Sequence, residues 1–201
     1  MGLVVPEPPK SSLATLRESL GALAERGSFS AGGLREARVD QISATTPHQV
    51  FNLTLEDARR GKVMEHARSS GWRYLLAVDD RIVASAETES REGARQAFSQ
   101  VNSGPFVVGT IEAFTVAERA ANEQEGGLEL RLIHVPALYL MSLWLKPLGE
   151  DGSDDSIFIP IAPTPSGLEP NRVYTSEEFG SRLAELAQAP PELEPDDTRG
   201  G

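Results

Sequence analysis

The feature that most constrains the fold is a long apolar stretch at residues 128–145, which contains a single proline, Pro136. Residues 128–132 alternate leucine with glutamate and arginine, and this period of two is typical of a strand with one buried face. Proline interrupts a helix, because it lacks the backbone N–H and clashes with the preceding turn. Residues 135–145 are also too few for a membrane-spanning helix, which needs roughly 20 apolar residues. The stretch therefore predicts two strands with a bend at Pro136, in the middle of a sheet.

The composition is that of an ordinary globular protein. A chain of 201 residues is long enough for one ample domain, and 39% hydrophobic with 24% charged residues is typical of folded sequences. The chain contains no cysteine, which excludes disulfides, thiol nucleophiles and cysteine-bound zinc. The first residues lack the pattern of a signal peptide. We therefore expect a cytoplasmic protein. The abundant alanine, arginine, glutamate and glycine are typical of a protein from a high-GC bacterial genome.

The charge balance argues against nucleic acid and membrane surfaces as partners. The chain carries 30 acidic and 19 basic residues, a formal net charge of -11 at pH 7. Binding to phosphates requires clustered lysine and arginine. The densest basic cluster, at residues 59–62, has Glu56, Asp57 and Glu65 beside it. An acidic surface serves solubility first, and it also favours a basic protein as partner.

Composition divides the chain into three parts. Residues 1–33 predict a flexible arm followed by a helix, residues 34–188 a single α+β domain, and residues 189–201 a disordered tail rich in acidic residues and proline. The N-terminal helix is expected over residues 11–25, where leucines recur at helical spacing before Gly27. This leucine stripe favours packing on the core, and docking on another molecule is the alternative.

Period-two patterns predict the strands of the central domain. In addition to the two in the apolar stretch, strands are expected at residues 49–55, 72–78, 81–87 and 157–161. Asp79-Asp80 reads as the turn of a hairpin, because aspartate tolerates unusual backbone angles. Thr54 also has the sequence of a helix cap, so a helix can begin there. Pro160 favours a position near a sheet edge for the last strand.

Helical spacing predicts further helices at residues 90–101, 106–122 and 176–188. Ser90 begins the first of these, Pro105 suits the first turn of the second, and Thr175 or Ser176 caps the third. The resulting fold class is α+β, with an antiparallel or mixed sheet of about five strands and helices packed mainly on one face.

No motif points to a known family, a reaction, a metal or a cofactor. His48, His66 and His134 do not have the spacing of a metal site, and His134 reads as a structural residue of an apolar strand. The glycine-rich residues 27–33 lack the lysine of a phosphate loop, and no Gly-x-Ser-x-Gly elbow is present. The aspartates at residues 151–155 do not match a calcium loop and are explained by a solvated turn. We therefore predict no catalytic residue, no metal and no cofactor.

Five residues are candidates for a ligand pocket: Trp72, Arg73, Tyr74, His48 and Arg131. If the two predicted hairpins share a sheet, their aromatic side chains can line a concavity that takes a ligand or a peptide. Arg73 is the natural contact for an anion, with Arg131 as its counterpart in the central stretch. His48 lies at a strand entrance, where functional groups often collect. Core packing explains the aromatic residues at least equally well.

Two aromatic residues of the central stretch, Tyr139 and Trp144, are candidates for an interface. If the chain leaves them uncovered, they form an apolar surface for a partner.

The absence of a catalytic motif favours a non-catalytic binding or interaction module over an enzyme. Its expected partner is a protein with a basic surface, or a second copy of the chain joined through a sheet edge. The alternative is a small-molecule-binding protein or a small enzyme, with a pocket near Trp72, Arg73 and His48.

Overall fold

A computed structural model describes residues 2–29, 32–91, 95–149 and 155–188. Within these residues the strands are β1 (Leu3–Val4), β2 (Ile42–Asn52), β3 (Arg68–Val78), β4 (Arg81–Arg91), β5 (Arg95–Asn102), β6 (Leu128–Val135), β7 (Leu140–Pro147), β8 (Ile157–Ile161) and β9 (Tyr174–Thr175). The helices are α1 (Lys10–Glu25), α2 (Gly32–Arg35), α3 (Leu55–Arg59), α4 (Val63–His66), α5 (Pro105–Glu123) and α6 (Ser176–Gln188). Two 3-10 turns lie at Val39–Gln41 and Pro136–Leu138.

The nine strands of the described chain form one sheet, which is mostly antiparallel. Their order is β5-β4-β3-β2-β6-β7-β8-β9, and β1 pairs in parallel with the start of β6. The pairing of β2 with β6 is also parallel, and we call it the parallel joint. It connects the antiparallel half formed by β2 to β5 with the antiparallel half formed by β6 to β9. The predicted mixture of helices and a sheet is confirmed, but a count of about five strands is too low. Two-residue strands such as β1 and β9 are too short to produce a sequence pattern.

The helix predicted at residues 90–101 is wrong, because the described residues of this segment belong to β4, which ends at Arg91, and to β5, which begins at Arg95. β5 pairs antiparallel with β4, for example Val101 with Ala86 and Gln100 with Glu87. Phe98 and Val101 have helical spacing, but as strand residues they pack on the cluster beneath α1. Hydrogen bonding to the free edge of β4 and burial in this apolar cluster together outweigh the local preference for a helix.

The two strands predicted from the central apolar stretch are confirmed as β6 and β7. They pair antiparallel, with Leu132 opposite Leu143, and Pro136 opens the 3-10 turn between them. The predicted hairpin is also confirmed as β3 and β4, and Asp79 and Asp80 at its turn have φ of 48° and 61°. Two consecutive positive φ angles match the right-handed twist of the flanking strands.

The predicted helix starts are set by local capping. Thr54 caps α3, because its hydroxyl accepts a hydrogen bond from the backbone N–H of Asp57 at 3.1 Å. Thr175 and Glu178 form a reciprocal capping box at the start of α6, with distances of 3.1 and 3.2 Å. No helix of the described residues is both long and apolar enough to cross a membrane.

Strand register places the side chains of the sheet on two faces. Trp72 lies opposite Gln49, Gln49 opposite Arg131, and Arg131 opposite Trp144, so these four side chains share what we call the first face. Their chain neighbours, such as Arg73, point to the second face. The two faces therefore divide the predicted site residues into two groups.

Helices cover both faces of the sheet. On the first face α1 packs through Leu16 and Leu20 on β3 and β4, and α6 packs through Phe179 and Leu183 on β7 and β8. The short helices α2, α3 and α4 add to these two clusters. On the second face the alanines of α5 pack on the leucines and isoleucines of β6, β7 and β8. Among the described helices, α5 is therefore the one that covers the second face.

The N-terminal helix packs on the sheet, as its leucine stripe indicates, and Leu3 pairs with Leu128 at the start of β6. The division into residues 1–33 and 34–188 stays a prediction. The predicted tail at residues 189–201, together with Asp151 and Asp154, lies outside the described residues.

Gly180 is required where α6 approaches the turn after α3. A Cβ atom at Gly180 would collide with the backbone carbonyl of Gly61. We expect Gly180→Ala to lower the free energy of unfolding by about 1–3 kcal/mol, because the helix must move away from the turn. Gly21→Ala in α1 is the matched control, since a Cβ at Gly21 meets no atom within 4 Å, and it should raise stability by roughly 0.4–1 kcal/mol. Urea unfolding measures both, and equal effects of the two substitutions would contradict this packing.

Trp144 belongs to the core of the first face. Its side chain is 3% exposed, stacks on Phe158 with ring centroids 6.0 Å apart, and donates a hydrogen bond from Nε1 to Ser156 at 3.0 Å. We expect Trp144→Ala to lower the free energy of unfolding by about 3–5 kcal/mol, since it removes a buried aromatic ring. Trp144→Phe keeps most of that ring and should cost less. A loss below about 1 kcal/mol for Trp144→Ala in denaturant unfolding would show that Trp144 is not a core residue.

Candidate functional site

A group of polar side chains lies on the second face, under the first turns of α5. We call it the Arg73 cluster, and it consists of His48, Arg73, Glu87, Thr110 and His134. These residues come from β2, β3, β4, α5 and β6. Buried polar groups of this kind are costly unless they are paired, so their arrangement decides whether the cluster is structural or functional.

Arg73 is the centre of the cluster, and its side chain is only 1% exposed. Its Nη1 donates to the hydroxyl of Thr110 at 3.1 Å, and its Nη2 donates to the hydroxyl of Ser85 at 3.3 Å. Its Nε lies 3.7 Å from Oε1 of Glu87 and has no hydrogen-bond partner among the described residues. Burial lowers the pKa of Arg73, and the charge of Glu87 opposes this shift. The guanidinium therefore has a compensating charge but an incomplete set of hydrogen bonds.

The position of Arg73 follows from strand alternation. Trp72 and Tyr74 are buried under α1 on the first face, so the residue between them must point to the second face. There it lies opposite Glu87 of β4 and His48 of β2. The other oxygen of Glu87, Oε2, accepts a hydrogen bond from Nε2 of Gln100 at 3.3 Å.

His48 is fully buried beside Arg73 and is uncharged. Its Nδ1 lies 2.8 Å from the backbone oxygen of Thr46, and a carbonyl only accepts hydrogen bonds, so Nδ1 carries the proton. Its Nε2 has no partner in the described chain, and its ring meets Phe114 of α5 edge-on at 6.0 Å. Burial is the largest cause that lowers the pKa of His48 and the charge of Arg73 is the second; with the opposing effect of the bond to Thr46, the pKa is about 3.

His134 lies on β6, half-buried, opposite Met141 of β7. Burial is the main cause that lowers its pKa, while Glu87 raises it and Arg73 lowers it. The imidazole is therefore neutral at pH 7 and has one donor and one acceptor nitrogen. His134 is the side chain of the cluster that lines both neighbouring cavities.

A cavity of about 260 Å³ opens beside the cluster, and we call it the Arg73 cavity. Arg73, Gln100, Asn102, Ser103 and His134 provide its polar lining, and Pro105, Phe106, Val107, Tyr139 and Met141 its apolar lining. A smaller cavity of about 120 Å³ adjoins Glu87 and also includes His134. The Arg73 cavity thus brings together parts of both halves of the sheet and the start of α5.

Tyr139 is placed at this cavity by an unusual backbone conformation. It follows the 3-10 turn between β6 and β7 with φ of 48° and ψ of 44°, the left-handed region that aromatic residues rarely adopt. Its side chain is 65% exposed, and its ring lies 5.0 Å from that of Phe106. An exposed ring gives the fold little in return for this strain, and such strain is concentrated at functional sites.

The structure brings three of the predicted site residues to the second-face site and places the others elsewhere. His48 and Arg73 belong to the cluster, and Tyr139 lines the cavity. Trp72 and Tyr74 face the opposite side of the sheet, where the hydroxyl of Tyr74 lies 2.6 Å from that of Ser12 in α1. The two hairpins do share a sheet, but alternation separates these aromatic side chains from Arg73.

Arg131 and Trp144 also lie on the first face. The guanidinium of Arg131 lies 5.1 Å from the ring centre of Phe51 and 4.8 Å from that of Trp144, and its Nε donates to Glu129 at 2.6 Å. Arg131 is therefore held by a cation–π stack and an ion pair, away from Arg73.

Sequence reasoning missed Glu87, Gln100, Asn102, Phe106, Thr110 and Met141 as site residues, and it assigned His134 a structural role. The sequence did contain one signal that points to Glu87. Within the hairpin, strand alternation puts Glu87 on the same face as the residue opposite it, and a lone carboxylate at an inward position needs a cationic partner. The partner is Arg73, but register between strands is not encoded in spacing alone.

A groove of about 390 Å³ between α4 and α6 is larger than the Arg73 cavity but less suited to a ligand. Its two basic residues already form ion pairs, Arg60 with Glu56 at 2.7 Å and Lys62 with Glu65 at 2.9 Å, and all four side chains are more than half exposed. Among the described residues, no three histidine, aspartate or glutamate side chains converge as metal ligands would.

Comparison with protein-family models, with curated proteins and with solved structures finds no significant match to this chain. The function of this protein is therefore inferred from the geometry of the second face.

His48 makes the stability of the fold depend on pH. Its pKa is about 3 in the folded protein, whereas an ordinary histidine has a pKa of 6.5, so between these values the unfolded chain binds a proton that the folded chain does not. Stability conferred by neutral His48 is therefore complete above pH 6.5 and is lost as the pH falls, by about 2 kcal/mol between pH 7 and pH 5. His48→Asn keeps a donor near the position of Nδ1 and removes the titration. Urea unfolding at several pH values should give a shallower pH dependence for the variant, and identical slopes would contradict this assignment.

Proposed function

We propose that this protein binds a small molecule in the Arg73 cavity, as a binding protein and not as an enzyme. The observation that carries the proposal is the left-handed Tyr139, whose exposed ring lies 5.0 Å from that of Phe106 and lines the cavity together with polar side chains of β5 and β6. A concave, mostly apolar pocket with a few convergent polar groups is the usual form of a small-molecule site. At about 260 Å³ the cavity suits a ligand at the lower end of the usual size range.

The chemistry of the lining supports binding more than catalysis. The Arg73 cavity has Ser103 and Tyr139 as its hydroxyl groups, and its described lining contains no carboxylate that could act as their base. A nucleophile needs such a base within hydrogen-bond reach. The neutral imidazole of His134 and the amides of Gln100 and Asn102 are suited to hold a ligand through hydrogen bonds.

An interaction module is the second candidate, and exposed apolar side chains favour it. Val108 and Ile111 of α5 are 58% and 39% exposed, and Tyr139 is 65% exposed. β5 also lies at an edge of the sheet, and an edge strand can pair with a strand of another chain. In this second proposal the partner is a basic protein or a second copy of the chain, in the cytoplasm, without nucleic acid.

The substitution Tyr139→Gly should weaken ligand binding with little change in the free energy of unfolding. Glycine adopts positive φ without strain, so the free energy of unfolding should change by less than about 1 kcal/mol, while the ligand loses its contact with the aromatic ring. A thermal-shift screen of small metabolites should find compounds that raise the melting temperature of the wild-type chain saturably and that shift amide resonances of Asn102, Phe106 and His134 in NMR. We expect Tyr139→Gly to weaken this binding at least tenfold, which corresponds to about 1.4 kcal/mol.

Asn171→Gly is the matched control, because Asn171 also has a positive φ, 61°, and does not line the cavity. It should leave ligand binding unchanged. The proposal fails if no compound gives saturable shifts at the cavity, or if both glycine variants weaken binding equally. A stable dimer or a stoichiometric protein complex without ligand binding would favour the interaction module instead.

A further inference from the structure

The charges around the Arg73 cavity narrow the class of ligand. Arg73 is the charged side chain among the lining residues of the Arg73 cavity. Oε1 of Glu87 lies 3.7 Å from Nε of its guanidinium. Glu87 is not among the lining residues, but at this distance its charge offsets part of the positive charge that Arg73 presents to the cavity. His134, which lines the same cavity, carries no charge at pH 7, since burial lowers its pKa.

The hydrogen bonds of Arg73 reinforce this balance. Nη1 donates one hydrogen bond to the hydroxyl of Thr110 and Nη2 donates one to that of Ser85, so each Nη group already has a partner, while Nε faces Glu87 at 3.7 Å. An anion that enters the cavity must give up its water, compete with these hydroxyls and approach Glu87. A cation gains from Glu87 but meets Arg73 at the same cost. Both kinds of ion are therefore disfavoured relative to a neutral molecule.

The remaining lining residues match a flat ligand with a polar edge. Gln100 and Asn102 each offer a carbonyl acceptor and N–H donors, and His134 adds one of each. Phe106 and Tyr139 add two aromatic rings whose centroids lie 5.0 Å apart, and Met141 adapts to the shape of an unsaturated ring.

We infer that the ligand is an uncharged planar molecule, such as a heteroaromatic ring or an aromatic carboxamide, whose edge carries adjacent hydrogen-bond donors and acceptors. This inference rests on the proposed function, because it names the chemical class bound in the same cavity. The polar edge of the ligand pairs with Gln100, Asn102 and His134, and its ring packs against Phe106 and Tyr139. The Arg73–Glu87 pair rejects ions of both signs.

Three probes of nearly identical shape test the inference directly. Benzamide is neutral, benzoate is an anion and benzamidinium is a cation, and all three have a planar group on the same ring. We expect the wild-type chain, titrated at pH 7 and observed by NMR of ¹⁵N-labelled protein, to bind benzamide about tenfold more tightly than either ion. The affected amides should be those of Asn102, Phe106, His134 and Tyr139.

Glu87→Gln then changes the charge balance while it keeps the size of the side chain. The variant leaves Arg73 uncompensated, so we expect benzoate to gain about tenfold relative to benzamide, and benzamidinium to lose affinity. Glu129→Gln is the matched control, because it removes the carboxylate beside Arg131 on the first face and should leave the ranking unchanged.

The possible results distinguish a failure of the inference about ligand charge from a failure of the proposed function. If the wild-type chain binds benzoate or benzamidinium best at the cavity, the inference about charge is wrong and the proposed function stands. If none of the three probes shifts the cavity resonances at millimolar concentration but a compound of the metabolite screen does, the inference is wrong and the proposed function stands; if no compound of the screen does so either, both fail. The wild-type ranking does not depend on any variant, so it decides the question even if Glu87→Gln does not fold.

Discussion

The parallel joint between β2 and β6 is the constraint on which the rest of the structure depends. It is short, and runs from the pair Gln49–Arg131 to the pair Asn52–His134, yet it makes one sheet of two antiparallel halves. Parallel neighbours need a long connection that leaves the sheet and returns. Here that connection includes β3, β4, β5 and α5, so the joint also determines which face α5 covers. The Arg73 cavity lies beside this joint, and its lining comes from both halves.

The second face has two regions with different chemistry. Over β6, β7 and β8, the alanines of α5 allow the helix to approach a layer of leucine and isoleucine side chains closely. Near its first three turns, α5 instead contacts Arg73 through Thr110 and His48 through Phe114, and Glu87 lies beside Arg73. Replacing such an ion pair with apolar residues is often neutral or stabilising, so burial of charge is weak evidence for stability. The combination of an incompletely paired cluster, an open cavity and a strained aromatic residue is more typical of a binding site.

Most of the elements were predictable from the sequence, because their signals are local. The alternation in residues 128–132, the Asp79-Asp80 turn and the caps at Thr54 and Thr175 each depend on neighbouring residues, and each corresponds to an element of the fold. The segment at residues 90–101 was not predictable in this way. Its apolar spacing fits a helix, and only the free edge of β4 makes it a strand.

The candidate site was predictable only in part. Arg73 and His48 stood out as polar residues next to apolar runs, but their supposed partners Trp72, Tyr74 and Arg131 lie on the other face. Alternation within β3 alone separates Arg73 from its two neighbours. Finding Glu87, Gln100 and His134 required the pairing of β3 with β4, of β4 with β5 and of β2 with β6, and none of these registers follows from spacing.

By itself, the sequence determined the type of most segments, because helix and strand periodicity, caps and turns act over a few residues. It also determined the acidic charge and the absence of cysteine chemistry. Only the tertiary structure decided that Arg73, Glu87 and His134 meet, that Tyr139 reaches the same cavity as Phe106, and that Trp144 is buried. The physical reason is that these contacts join residues far apart in the chain, through strand order and register. Those depend on the free energy of the whole sheet, and no local pattern carries that information.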